Sequence, residues 1–110
     1  MALKRHWYHI LLALAEGPTH GAEIRRRVAR HTQGSLELYP AMLYGSLEDL
    51  LERAWIEEVA DGAGRPADAS DRSRCLALTP TGREILAAAT EQSEQVVQLA
   101  RSLLAGEASP

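Results

Sequence analysis

Apolar residues along this chain recur at steps of three and four, interrupted by two glycine-proline or glycine breaks and by one long polar interval. Leu3, Trp7, Ile10, Leu11 and Leu14 share one face, which predicts an amphipathic helix over residues 2–16, stopped by Gly17-Pro18. A second helix follows in THGAEIRRRVARH, with Thr19 as N-cap, Ala22, Ile24 and Val28 turned inward, and Gly34 ending it. After a turn from Gln33 to Leu38, Pro40 suits the first position of a third helix. There Leu43, Leu47, Leu50 and Leu51 form a single buried face.

Ile56 to Val59 reads as a strand. Residues 61–74, DGAGRPADASDRSR, hold nothing apolar larger than alanine and are expected to form a mobile loop. Cys75 to Leu78 returns as a second strand, so the loop is the tip of a hairpin. Thr79-Pro80 then starts a fourth helix, threonine as cap and proline as first residue, running to about Leu104 with a frayed tail beyond it. Three helices, a hairpin and one more helix describe a mainly α fold, the winged helix-turn-helix with a long C-terminal helix. In that fold the third helix enters the major groove and the hairpin tip touches the backbone. The division is a winged head over residues 1–78 and a C-terminal dimerisation helix over residues 79–110.

The fourth helix carries its own apolar pattern. Ile85, Ala89, Gln92, Val96, Leu99 and Leu103 follow at alternating steps of four and three, an a/d seam with one polar position. A chain of 110 residues has little core left to cover such a seam, so a homodimer is expected. Helix 1 repeats the spacing in Leu3, Trp7, Ile10 and Leu14, which lets helix 1 of one subunit pack on helix 4 of the other. Folding of helix 4 back onto its own head is the alternative.

Composition changes this picture in two places. The longest apolar run, Ile10 to Ala15, is far short of the ~20 residues of a membrane span, and the N-terminus lacks the pattern of a signal peptide. A cytoplasmic protein without membrane contact is expected. The single cysteine, Cys75, reads as a small apolar strand residue. The net charge of −3 argues mildly against nucleic acid, but residues 84–110 hold four acids against one base, so much of the excess lies in the tail. The concentrated positive patch is Arg25, Arg26, Arg27 and Arg30; a solvated helix face is its bland alternative.

Four stretches sharpen the reading: His20-Gly21-Ala22-Glu23-Ile24 after Gly17-Pro18, Leu43-Tyr44-Gly45-Ser46-Leu47, Glu52-Arg53-Ala54-Trp55-Ile56-Glu57-Glu58, and Leu78-Thr79-Pro80-Thr81-Gly82-Arg83. Together, in this order, they resemble the PadR-like transcriptional regulators of the short subfamily, in register over about residues 9–83 and by architecture beyond. The resemblance implies a homodimeric, usually repressing regulator that binds double-stranded DNA at a pseudo-palindromic operator. It leaves open a small-molecule inducer at the dimer interface. Relatives that bind planar drugs use a tryptophan on the fourth helix, and this one has none.

The third helix departs from the family. Gly45 stands where many relatives have arginine, and Glu48 and Asp49 replace positions often basic, so bidentate guanine reading is not available from them. DNA contact is therefore expected from Ala41, Met42, Gly45 and Ser46 at the start of that helix. Phosphate contact is expected from Arg25, Arg26, Arg27, Arg30, Tyr44 and the wing residues Arg65, Arg72 and Arg74. Ala22 replaces a usual tyrosine, Leu76-Ala77 a usual tyrosine and arginine, and Ala54 a usual glycine. A left-handed Ala54 would cost roughly 1 to 2 kcal/mol.

Catalysis finds no support: His6, His9, His20 and His31 lack a paired carboxylate at useful spacing, and no nucleophile motif or phosphate loop accompanies them. No enzyme activity, cofactor or metal is expected, although His6 and His9 at i, i+3 leave a metal across a dimer open. The competing reading, from another class, is a winged-helix module that binds a protein partner, which the acidic third helix would permit.

Overall fold

The computed structural model describes residues 3–60 and 74–108. Arg65 and Arg72, and nearly all of the expected mobile loop, lie outside the described residues. The elements follow one another as α1 (Arg5–Ala15), α2 (Gly21–His31), α3 (Pro40–Glu52), β1 (Ile56–Val59), β2 (Cys75–Leu78) and α4 (Pro80–Ala108). This is a winged helix-turn-helix with a C-terminal helix. α1 starts at Arg5 rather than Ala2, and α4 continues four residues past Leu104, where fraying was expected.

The apolar faces read from the sequence meet in one core. Ile10, Leu11, Ile24, Val28, Leu43, Leu50 and Ile56 are fully buried, and Leu47 and Leu76 nearly so. At roughly 1.5 to 3 kcal/mol for each large side chain, this burial is the main stabilising term. Ala22 is exposed; the inward residue of that turn is Gly21, pressed against Tyr44. Leu51 is only half-buried.

Two strands pair antiparallel with Ile56 opposite Leu78 and Val59 opposite Cys75. Thr19 is not the N-cap of α2. It exchanges both backbone hydrogen bonds with Leu76, at 3.0 and 2.8 Å, and so pairs with β2 as an isolated antiparallel bridge beside the hairpin. His20 takes the cap position, without a side-chain hydrogen bond to the helix start. The wing is thereby tied to the α1–α2 connection as well as to its own turn.

Helices α2 and α3 end alike. Beyond α2, Gly34 N–H donates to Ala29 carbonyl (2.8 Å) and Gln33 N–H to Arg30 carbonyl, with Gln33 at φ 53°. Beyond α3, Trp55 N–H donates to Leu50 carbonyl (3.1 Å) and Ala54 N–H to Leu51 carbonyl (3.0 Å), with Ala54 at φ 59°. Both are Schellman closures whose left-handed residue carries a side chain in place of glycine.

Helix α4 is fastened to the second of these closures. The Thr79 hydroxyl donates to Ala54 carbonyl (2.7 Å) and accepts from Gly82 N–H (3.0 Å), which is the cap expected of it. Thr79 N–H donates to Trp55 carbonyl (3.1 Å). A Cβ on Gly82 would lie 1.9 Å from that carbonyl oxygen, so only glycine lets α4 come so near. Leu86 is buried in the same core, and Ile85 packs against it. The head therefore includes the first turns of α4.

Ala54→Gly should relieve the left-handed strain without touching any side-chain contact. We expect it to raise the unfolding free energy by about 1 kcal/mol, read as a shifted urea midpoint at unchanged slope.

Candidate nucleic-acid interface

Helix α3 presents two different halves to solvent. Its N-terminal half exposes Tyr39, Ala41, Met42 and Gly45, with Tyr39 61% and Met42 40% exposed. Its C-terminal half exposes Glu48, Asp49 and Glu52. Tyr39 had no place among the residues expected to meet DNA; its position immediately before Pro40 was the available signal. Ser46, expected on the reading face, is 5% exposed and lies on the core side with Leu43, Leu47 and Leu50. The reason is angular: three residues from Leu43 and four from Leu50, it adjoins Leu50 at the edge of the inner face. Tyr44 is half-buried with its ring on Gly21, where a Cβ would meet its hydroxyl oxygen at 2.9 Å.

The four arginines of α2 do not form one patch. Arg27 turns inward: its guanidinium donates to the carbonyls of Ala13 (3.0 Å) and Gly17 (2.8 Å) and lies 3.4 Å from Glu23. It satisfies the carbonyl end of α1, a favourable place for a cation. Arg30 pairs with Glu16 (2.8 Å) and Arg26 with Glu23 (2.7 Å), both at the surface. Water screens such pairs and both long side chains lose freedom in making them, so a phosphate can compete for either arginine. Arg25 has no ion pair among the described residues. Arg25 and Arg26 line a shallow cleft with Leu36, Glu37 and Leu38, immediately before α3.

Arg74, at the base of the wing, reaches across to α3 and donates to Glu48 at 2.6 Å, with Glu58 of β1 at 3.9 Å. The wing base expected to meet phosphate is thus paired with the first acid of α3. Only folding of the hairpin onto α3 reveals this pairing.

The groups expected at the dimer interface separate likewise. Trp7, Ile10 and Leu14 are buried in the subunit's own core, so they are not available to a partner. They lie there because α1 packs between α2 and the wing, with the Trp7 ring edge-on to Trp55 at 6.0 Å and Arg53 stacked over both. Leu3, Ile85 and Ala89 are half-buried, and Gln92 is exposed. Val96, Leu99 and Leu103 are 58 to 61% exposed, with Val97 and Leu104 beside them. The Tyr8 hydroxyl meets Thr90 at 2.8 Å, and since Thr90 gives its own proton to Leu86 carbonyl, Tyr8 donates. Above this contact a groove of about 850 Å³ runs between α1 and α4, lined by Leu3, Tyr8, His9, Ile85 and Val96 among others.

The α1–α2 joint collects the titratable groups. Glu16 accepts from Arg30 and from His31. Burial works to raise its carboxyl, but the His31 hydrogen bond and the charges of Arg30, His31 and Arg27 bring it below the usual range. Glu23 is held low chiefly by its hydrogen bond from Arg26. Burial, then Lys4, lowers His6; burial, then Arg5 and His31, lowers His9. The Nδ1 atoms of His9 and His31 are enclosed without a hydrogen-bond partner among the described residues. Among the described residues no three His, Cys, Asp or Glu side chains cluster as metal ligands, and no helix is long and apolar enough to cross a membrane.

Compared with known proteins, the chain matches the transcriptional regulator PadR-like family over residues 10–88. It is 36% identical over 80 residues to an uncharacterized 37.1 kDa transposon protein of Streptomyces fradiae, covering 70% of this chain but only 19% of that protein's length. A transcriptional regulator from Clostridium thermocellum superposes with a TM-score of 0.70 at 21% identity, over 87% of this chain and 89% of the other. F93 from STIV, a winged-helix DNA-binding protein, superposes at 0.67 and 15% identity, over 88% and 96% of the two chains.

The depressed histidines and carboxylates set the pH response. In each case the unfolded chain binds the proton first, so stability is full above the ordinary value and is lost as pH falls toward the folded one. We expect urea midpoints to fall first below about pH 6.5, through His6 and His9. A second fall is expected below about pH 4.5, through Glu16 and Glu23. His9→Gln should diminish the first fall and leave the second.

Proposed function

This chain belongs to the transcriptional regulator PadR-like family, and on that premise we propose that it is a homodimeric DNA-binding repressor of a pseudo-palindromic operator. The observation that carries the reading is the uncovered N-terminal half of α3. A Cβ on Gly45 would meet nothing within 4 Å, so the subunit has no packing need for glycine there. A helix-interior glycine costs roughly 0.5 to 1 kcal/mol against alanine. What it provides is room for a close approach, and a major groove is the surface this fold approaches.

Affinity comes from beside α3 rather than from it. Arg25 and Arg26 flank its start and supply phosphate contacts, with Tyr44 at the margin. Arg30 can join them by leaving Glu16. The exposed stripe of Val96, Leu99 and Leu103 is the surface on which a second copy would pack. The groove beside Tyr8 and His9, closed by that second copy, is where a small-molecule inducer would lie.

Asp49 and Glu52, exposed and without an ion pair among the described residues, favour the second reading, a winged-helix module for a basic protein partner. Salt separates the two readings. In a gel-shift series on the duplex upstream of the protein's own gene, log affinity should fall with log salt at about −0.9 per phosphate contact. Arg26→Ala should bring that slope toward zero by roughly one unit for each phosphate that a subunit no longer neutralises, with sequence preference retained. Absence of any duplex affinity at low salt would transfer the assignment to the protein-partner reading.

For assembly, Val96→Glu combined with Leu99→Glu should give monomers in sedimentation with an intact helical spectrum. A dimer that survives both charges would sink the α4 assignment.

A further inference from the structure

We infer that the operator is read through thymine methyl groups, with Met42 as the principal contact and Tyr39 and Ala41 beside it. The inference rests on the DNA-binding reading above and deepens it by naming what the helix selects.

The chemistry of the exposed surface leads there. Tyr39, Met42 and Gly45 follow at steps of three, and Ala41 and Gly45 at a step of four, so these residues form one patch on the leading half of α3. Base edges in the major groove are told apart by donors, acceptors and the thymine methyl. Guanine shows two acceptors and is bound by arginine or lysine; adenine is bound by asparagine or glutamine. The patch has none of these side chains, and Ser46, whose hydroxyl could have served, is buried. Its one polar side-chain group is the Tyr39 hydroxyl.

The remaining polar groups of the helix do not repair this. Glu48 is held by Arg74 at 2.6 Å. Asp49 and Glu52 lie past the half of the helix that carries Met42; as carboxylates they can only accept, so they offer guanine nothing and suit only the amino groups of cytosine and adenine. Meanwhile Met42, 40% exposed, and Tyr39, 61% exposed, are the large apolar surfaces at the helix start. Apolar contact with the C5-methyl is the one base feature that such a surface distinguishes. The missing side chain at Gly45 lets the helix sink far enough for Met42 to reach it.

The flanking charge fits the same occupant. Arg25 and Arg26 lie beside the residues leading into α3, on the side where a phosphate strand would border the groove. Methionine adapts its shape to an irregular apolar surface, which suits a methyl group projecting from a groove floor.

The test uses the full chain and a duplex recovered by it from a randomised library. Each thymine in the recovered half-site is replaced in turn by deoxyuridine, which lacks only the methyl group. A contacted thymine should lose about fourfold in affinity, the equivalent of one buried CH2 group. Met42→Ala should abolish that difference while retaining the thermal midpoint. If the recovered duplex is bound selectively yet every deoxyuridine replacement is silent, the methyl reading is overturned and the DNA-binding reading stands. If affinity falls instead when 7-deazaguanine replaces guanine, the helix reads guanine and the inference is equally overturned. Failure to recover any duplex at low salt would bring down both.

Discussion

The whole arrangement depends on how closely α4 approaches the turn after α3. Gly82 lies against the Trp55 carbonyl at a distance no side chain would permit, and Thr79 ties the same turn by its hydroxyl and its N–H. That turn is held open by a left-handed Ala54. Once α4 leaves from this point, Leu86 and Ile85 complete the core and the rest of the helix projects beyond it. The exposed Val96, Leu99 and Leu103 stripe is a consequence of that departure. So is the groove against α1, because Tyr8 and Thr90 join the two helices near its floor.

Charge in the head is used mainly for holding its own elements together. Arg27 closes the carbonyl end of α1, Arg30 and His31 hold Glu16, and Arg74 brings the wing to α3 through Glu48. Each link is surface-screened or partly so and modest in energy, yet together they set where the remaining cations lie. Arg25 and Arg26 remain beside the start of α3. One acid of α3 is paired from the wing, and the others follow the half of the helix that carries Met42 and Gly45.

The inner and outer faces of α3 are built differently. Burial of Leu43, Ser46, Leu47 and Leu50 fixes the inner face, while Gly45 weakens the helix and leaves a gap outside. Tyr39 and Met42 are left in water at the same end. A fold selected for stability alone would fill Gly45 and cover Met42; the groove contact proposed above is served by neither change.

Much of the fold was legible in the residues themselves. Steps of three and four, two proline starts and a glycine-rich interval were sufficient for the order of six elements and the Leu43–Leu47–Leu50 face, because each is a property of one segment and its own periodicity. Thr79 was recognisable as a cap for the same reason, whereas Ala54 was marked as a strained position only by the glycine that the resemblance places there. The candidate interface was less legible. That Arg27 faces Ala13, that Arg74 meets Glu48, that Thr19 pairs with Leu76 and that Tyr8 meets Thr90 are relations between segments 14 to 82 residues apart. That Trp7, Ile10 and Leu14 belong to the subunit's own core is a relation between whole faces. Periodicity states that a face is apolar or a side chain charged. Which partner it meets is decided by how the helices and hairpin close on one another, and that closure exists only in the tertiary structure.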